Sequence, residues 1–355
     1  MIMMKGFLVK TSKYFFIGFI LFVLVWVLYL FKPFLLTIAI GILMAVSTAS
    51  LERRILALTN AKRVLSASLI TLFICIFFLA PFLYAIISLA KYASGFDMTN
   101  VTNTLNYIKN YDFSLPESFS FLEPKIKEFI ATLDIGTLIS KALGYLSTIG
   151  KSSAGFIVDM GFIIVFYFFA NLYGAELTTY LKKVVPMNSD ELDFILTEVA
   201  NTMSVVVYST LANAVLQGML FAILVSFFGY DMLLMGILFA IGSLIPLVGG
   251  ALVYVPIALF ELAHGNTQGS IIILSYSIIV ISVVADTFVK PLIIKFINEK
   301  MVKTPTKINE MLIFFSMLAG ISTFGFWGVI LGPAIVTFFI STIKLYVLLK
   351  ERAIV

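Results

Sequence analysis

Long apolar runs alternate with short polar junctions along nearly the whole chain, and their lengths define the elements. Tyr14 to Phe31, Phe34 to Ser50, Val64 to Ala90, Gly155 to Tyr173, Val205 to Phe228, Ser270 to Val289 and the pair Met311 to Phe324 with Phe326 to Leu349 each approach or reach the roughly 20 residues a helix needs to cross a bilayer. Two further runs, Met232 to Ile245 and Ala251 to Leu262, are short. About 14 residues at a 1.5 Å rise give roughly 21 Å against a hydrocarbon core of about 30 Å. They predict a re-entrant hairpin or two shortened spans. The pattern predicts an all-α integral membrane protein with about eight membrane passes, including short or re-entrant helical hairpins.

The polar stretches divide the chain into an N-terminal group of membrane helices (1–91), a small extracytoplasmic helical segment (92–153), one membrane helix (154–187), an amphipathic helix on the cytoplasmic side (188–204) and a C-terminal bundle with broken helices suited to transport (205–355). Within 92–153, Phe121, Ile126, Phe129, Ile130 and Leu133 recur at roughly helical spacing. In 188–204, Leu192, Ile195, Leu196, Val199 and Met203 share one face, and Asn188 with Glu191 resembles a capping box. Lys32-Pro33 separates the first two apolar runs, where proline starts a helix more easily than it continues one.

Composition strengthens the membrane reading: 61% of residues are hydrophobic and 12% charged, where a soluble chain is about one quarter charged. The net charge of +5 comes from Lys and Arg beside the span ends, as the positive-inside rule requires, and not from a nucleic-acid-binding patch. Lys5, Lys10 and Lys13 at one end, and Lys344, Lys350 and Arg352 at the other, predict both termini in the cytoplasm, with the first run retained rather than cleaved. The expected location is the cytoplasmic (inner) membrane of a bacterium.

Little of the usual chemistry is present. Cys75 is the only cysteine and His264 the only histidine, so neither a disulfide nor a Cys- or His-based metal site can form, and no metal or cofactor is expected. Gly144 to Ser152 imitates a phosphate-binding loop but has one residue too many between its glycines and no preceding strand. No serine-hydrolase elbow or paired-histidine zinc motif supports catalysis.

The informative positions are those that a membrane helix should avoid. Ile245-Pro246-Leu247-Val248-Gly249-Gly250, followed by Pro256, breaks an apolar run at bilayer depth, where freed N–H and C=O groups need protein or water to satisfy them. Pro246, Gly249, Gly250 and Pro256 are therefore candidates for a gate, or else form a turn that lets two short helices pack. Asp286 stands in Ser282-Val283-Val284-Ala285-Asp286-Thr287-Phe288-Val289-Lys290-Pro291, and a carboxylate at a helix centre costs about 2.5–3.5 kcal/mol. It either serves coupling, with Lys290 and Pro291 beside it, or makes an i, i+4 ion pair with Lys290 near the interface. Asn213 and Gln217 lie four apart on one face, as polar pathway residues or as interhelical hydrogen bonders. Gly328, Gly332 and Pro333 read as helix packing.

Three of these segments together resemble the autoinducer-2 exporter (AI-2E) family, also called PerM-type permeases. They are the proline-glycine hairpin at Ile245 to Gly250 with Pro256, the acidic-x-x-x-basic-proline segment at Asp286 to Pro291, and the Gly-rich run Gly325 to Pro333. The chain departs from the family pattern at Ile308-Asn309-Glu310-Met311 and at Ala212-Asn213. The resemblance implies a homo-oligomer such as a pentamer, embedded in the lipid bilayer and working without ATP. Its expected substrate is a small molecule or a cation. The preferred function is secondary export of a small polar organic molecule such as autoinducer-2, with a sodium (lithium)/proton antiporter as the alternative. A non-transporting scaffold or receptor is the reading from another class.

Overall fold

In a computed structural model, residues 2–94, 124, 135–184, 188–246, 248–300 and 309–351 are described. The expected segment at 92–153 thus falls largely outside the described residues. All regular structure among them is helical, and six helices are long and apolar enough to cross a membrane, with two shorter apolar ones beside them.

The first helix, α1 (Ile2–Phe31), passes through a 3-10 turn at Lys32–Phe34 into α2 (Leu35–Ser47). Lys32-Pro33, which separates the two apolar runs in the sequence, does not turn the chain back. Pro33 sits in the first turn, where its missing N–H leaves no bond unmade, and Phe31 and Phe34 stay near helical angles, so Phe15–Ser47 runs on as one apolar stretch. From Phe15 to Pro33 every residue is exposed, and among the described residues no core cluster draws on this part of α1. Helix α3 (Ala49–Leu58) leads to α4 (Arg63–Ser94), which carries Pro81, and then comes α5 (Ile135–Val184). Gly144 to Ser152 lies inside α5, on helical backbone.

Helix α6 (Ser189–Ser226) organises the rest. The segment at 188–204 and the span beginning at Val205 form this one unbroken helix, because no Pro or Gly interrupts it between Asp190 and Gln217. Glu191 holds its start by accepting from the Asn188 backbone N–H at 3.3 Å and from its side-chain amide at 2.8 Å. The lower part buries Ile195, Val199, Met203 and Val207 against Ala334 and Leu345. The upper part buries Phe221, Leu224 and Val225 in a second core with Phe239, Ile257, Ala258, Ile273 and Ile281. A third core joins α2, α4 and α5 through Ile40, Met44, Ile70, Ile74, Ile163 and Tyr167, where Thr48 Oγ1 and the Tyr167 hydroxyl lie 2.8 Å apart.

Tight turns make the hairpins that follow. Gly229 takes φ +79°, closing the end of α6 so that the Tyr230 N–H can donate to the Val225 carbonyl at 3.3 Å. Asp231 then caps α7 (Met232–Ser243), accepting from the Leu234 N–H at 2.9 Å. Helix α8 (Ala251–Ala263) precedes α9 (Thr267–Tyr276). From Ser277 to Val289 the helix widens to i→i+5 winding, and α10 (Lys290–Lys300) completes the rod. Pro291 supplies a reason, since it has no N–H to donate and its ring crowds the carbonyl of Thr287 in a regular α-helix. Finally, α11 (Glu310–Phe324) and α12 (Gly328–Glu351) form a hairpin whose turn at Gly325 has φ +62° and ψ −145°, a region essentially reserved for glycine.

Candidate functional site

Helix α6 presents two chemically different faces at mid-span. On one, Asn213 and Gln217 point together toward the π-helical stretch. Asn213 Nδ2 donates to Asp286 Oδ1 at 3.1 Å, and Gln217 Nε2 donates to the same oxygen at 2.9 Å. Both amides are buried, at 7% and 5% exposure, while Asp286 is exposed on the side away from α6. The π winding supplies the carboxylate, the i, i+4 spacing on α6 supplies the two donors, and 73 and 69 residues separate the partners along the chain.

This arrangement puts a contact between helices in place of the i, i+4 ion pair that the sequence offered Asp286. No ion pair or hydrogen bond joins it to Lys290; its partners are the α6 amides. Wider winding takes positions four apart off the common face that an α-helix would give them. The energetics are consistent: a carboxylate at bilayer depth costs about 2.5–3.5 kcal/mol, and two charge-assisted bonds of about 1.5–3 kcal/mol each are of the size that offsets it. Asn213 Oδ1 is buried without a partner, so a second oxygen beside the carboxylate remains unclaimed.

The broken hairpin is a separate construction. Gly249 in the turn and Gly242 at the end of α7 meet backbone to backbone, and a Cβ on Gly249 would overlap the Gly242 carbonyl. Ile245 N–H donates to the Gly242 carbonyl at 2.9 Å and Gly249 N–H to the Ile245 carbonyl at 3.1 Å, so the turn satisfies much of its own backbone. Gly250 faces the ring of Phe239, which stacks on Phe221 at 4.5 Å, and Pro256 is exposed inside α8. No hydrogen bond or ion pair links Pro246, Gly249, Gly250 or Pro256 to Asp286.

Gly328 and Gly332 touch α11: a Cβ on Gly328 would overlap the Gly320 backbone, and one on Gly332 the Ser316 carbonyl. Pro333 is fully buried next to them. Gly320 was not singled out by its sequence context, and neither were Gly218 and Gly236, which let α6 and α7 meet backbone to backbone. Single glycines four or more residues from a partner in another run carry no local signal.

Other polar contacts lie toward the ends of the bundle. Arg63 pairs with Glu176 at 2.9 Å, Lys182 with Asp193 at 2.6 Å and Lys344 with Glu198 at 2.8 Å, all at the end where α4 begins and α5 and α12 finish. At the opposite end, the Tyr84 hydroxyl donates to Asp231 Oδ2 at 3.3 Å and the Tyr230 hydroxyl to Glu261 Oε1 at 2.7 Å. Burial and then the Glu261 carboxylate push the Tyr230 phenol well above its ordinary pKa. His264 is an exposed loop residue whose Nδ1 lies 2.9 Å from the Phe260 carbonyl oxygen. Among the described residues no group of three or more His, Cys, Asp or Glu side chains could hold a metal ion.

Comparison with known proteins adds a family context. A family model described as "AI-2E family transporter" matches residues 16–348. A protein of Helicobacter pylori named "Putative transport protein" is 33% identical over 335 residues, covering 94% of this chain and 96% of its own. One of the same name from Aquifex aeolicus is 26% identical over 262 residues, 70% of this chain and 69% of its own. A relative from Mycobacterium tuberculosis is 28% identical over 207 residues, 58% of this chain and 51% of its own.

Proposed function

The chain belongs to the AI-2E family of transporters, and on that premise we propose that it is a secondary transporter whose coupling group is Asp286, exchanging sodium or lithium for protons across the inner membrane of a bacterium. One observation carries the reading: the Asp286 carboxylate, within the apolar span Thr267–Lys300, has one oxygen held by two buried amides while the residue stays exposed. An ionisable residue at this depth is a site for proton or cation traffic when it faces a route rather than a permanent counter-ion. The amides hold the carboxylate in place, and the unpartnered Asn213 Oδ1 offers a neutral oxygen of the kind an alkali cation accepts as a ligand. Asn213 and Gln217 act as positioning residues, and the hairpin at Pro246 to Gly250 is the element proposed to move.

Export of a small polar organic molecule such as autoinducer-2 is the second reading, and the family description favours it. Hydroxyl groups of such a solute would donate to the free oxygen of Asp286. As with the resemblance, a homo-oligomer is part of both readings, with the apolar face of α1 available to lipid or to neighbouring copies.

The test measures dye-reported proton movement in everted vesicles after sodium or lithium is added, in wild type and Asp286→Asn. A cation-driven pH change that disappears in the variant supports exchange at Asp286. No response in either protein refutes the exchange reading, and accumulation of autoinducer-2 in the medium then becomes the deciding measurement.

A further inference from the structure

The opposite face of α6 borders a cavity of about 860 Å³ enclosed by α2, α4, α5, α6, α7 and the α11–α12 hairpin. Its wall is almost wholly hydrocarbon. Ala214 and Gly218 line it from α6, whereas Asn213, Gln217 and Asp286 do not, so it is not the polar site described above. The volume lies in the range of roughly 300–1,000 Å³ typical of ligand pockets. Water is a poor occupant, because a buried water needs two to four polar partners and this wall does not offer them. An empty space of this size would forfeit the dispersion contacts of every lining group.

The cavity also has a side entrance. Ile76 and Phe77 of α4, Met219 and Ile223 of α6, and Met232 and Leu233 of α7 line it and are at the same time exposed at the protein surface. These positions lie within or beside apolar helices of spanning type, so the medium meeting that opening is bilayer hydrocarbon. Among the lining residues Trp327 stacks on Phe156 at 5.0 Å and Phe156 meets Phe82 at 4.5 Å, so a group of aromatic rings forms one part of the wall.

We propose that this cavity is a lipid site, filled by an acyl chain of a membrane phospholipid that enters sideways between α4 and α7 and reaches the rings at Trp327. The occupant follows from three features together: a hydrocarbon wall, a lining that includes both the exposed residues of α4, α6 and α7 and the rings of Phe156 and Trp327, and continuity with the acyl-chain region. A chain lodged there separates α4 from α7 along the cavity, while the Tyr84 to Asp231 hydrogen bond ties the same helices together at their end. The site stands independently of what Asp286 binds.

The two tryptophans make the proposal measurable. Trp26 lies on exposed α1 and Trp327 lines the cavity, so Trp26→Phe leaves a cavity reporter and Trp327→Phe leaves a bilayer reporter. In vesicles of phospholipid brominated on its acyl chains, the Trp26→Phe protein is expected to lose most of its Trp327 fluorescence. Adding Val215→Phe or Ile237→Phe, which place rings in the cavity, is expected to restore it. The same filling changes in the Trp327→Phe background should leave Trp26 quenching as it was, which shows that the protein is in the bilayer, and an unchanged thermal transition of the Cys75 maleimide reaction shows that the bundle is folded. Unquenched Trp327 overturns the proposal, as would a second copy or another occupant covering the opening. Quenching indifferent to both filling changes also overturns it, because the bromines would then be reaching Trp327 from outside.

Discussion

Replacing Gly328 by alanine tests a contact made backbone to backbone between two helices. Gly328 is buried, and its added methyl would overlap the carbonyl of Gly320 and crowd the N–H of Ile321, both of them backbone. A flexible side chain could swing away, but two helix backbones must separate, and overpacking of this kind costs about 1–3 kcal/mol. Opposing this, alanine favours a helix over glycine by only about 0.5–1 kcal/mol, so the steric penalty wins. Gly161 in α5 is the control: nothing lies within 4 Å of its Cβ position, so Gly161→Ala receives the propensity gain alone. Cys75 provides the readout, since the only thiol of the chain is half-buried in α4 and reacts with a fluorogenic maleimide as the bundle opens. With the propensity gain subtracted, the net loss is about 0.5–2.5 kcal/mol, and at about 2 °C per kcal/mol for a larger domain Gly328→Ala should melt about 1–5 °C below wild type. Gly161→Ala should melt at or slightly above it. Equal melting of wild type and Gly328→Ala would refute the claim that backbone contact sets the α11–α12 hairpin.

Three other outcomes follow from the same structure. Replacing both Asn213 and Gln217 by alanine removes the two donors to Asp286 while leaving the carboxylate, and cation-driven pH changes in everted vesicles should fall about tenfold or more, as expected for lost charge-assisted bonds of about 1.5–3 kcal/mol; unchanged transport would show that the amides do not position it. Asp231→Ala removes the cap of α7 and the acceptor for Tyr84, so thermal unfolding should show a loss of about 0.5–2 kcal/mol, and the loss should shrink for Asp231→Asn. The raised pKa of Tyr230 means its contribution to stability is complete below the unfolded value near 10 and is lost as pH rises toward the higher folded value; melting across that window should therefore fall more steeply in wild type than in Tyr230→Phe, and parallel curves would contradict the Tyr230–Glu261 contact.

The sequence by itself determined the class of molecule, because 20-residue apolar runs leave few alternatives to membrane helices. It also marked the break at Ile245 to Gly250, the start of α6 at Asn188 and Glu191, and the two amides and one carboxylate that avoid apolar surroundings. Those signals are local: they lie in run length, turn chemistry and spacing along one helix. What lay beyond it was every relation between separate runs. Asp286 had Lys290 as its visible neighbour at i+4, and only the packing of the π-helical stretch on α6 gave it Asn213 and Gln217 instead. The continuity of α1 with α2 depended on backbone angles around Pro33, which a proline in a sequence does not specify. Gly320 opposite Gly328, and Gly218 opposite Gly236, became meaningful only when their helices met. The hydrocarbon cavity has no sequence signature at all, since its wall is assembled from side chains that on any single helix look like ordinary membrane-facing residues. Periodicity records which face of a helix is apolar, and tertiary packing decides whether that face meets protein, lipid or a space between them.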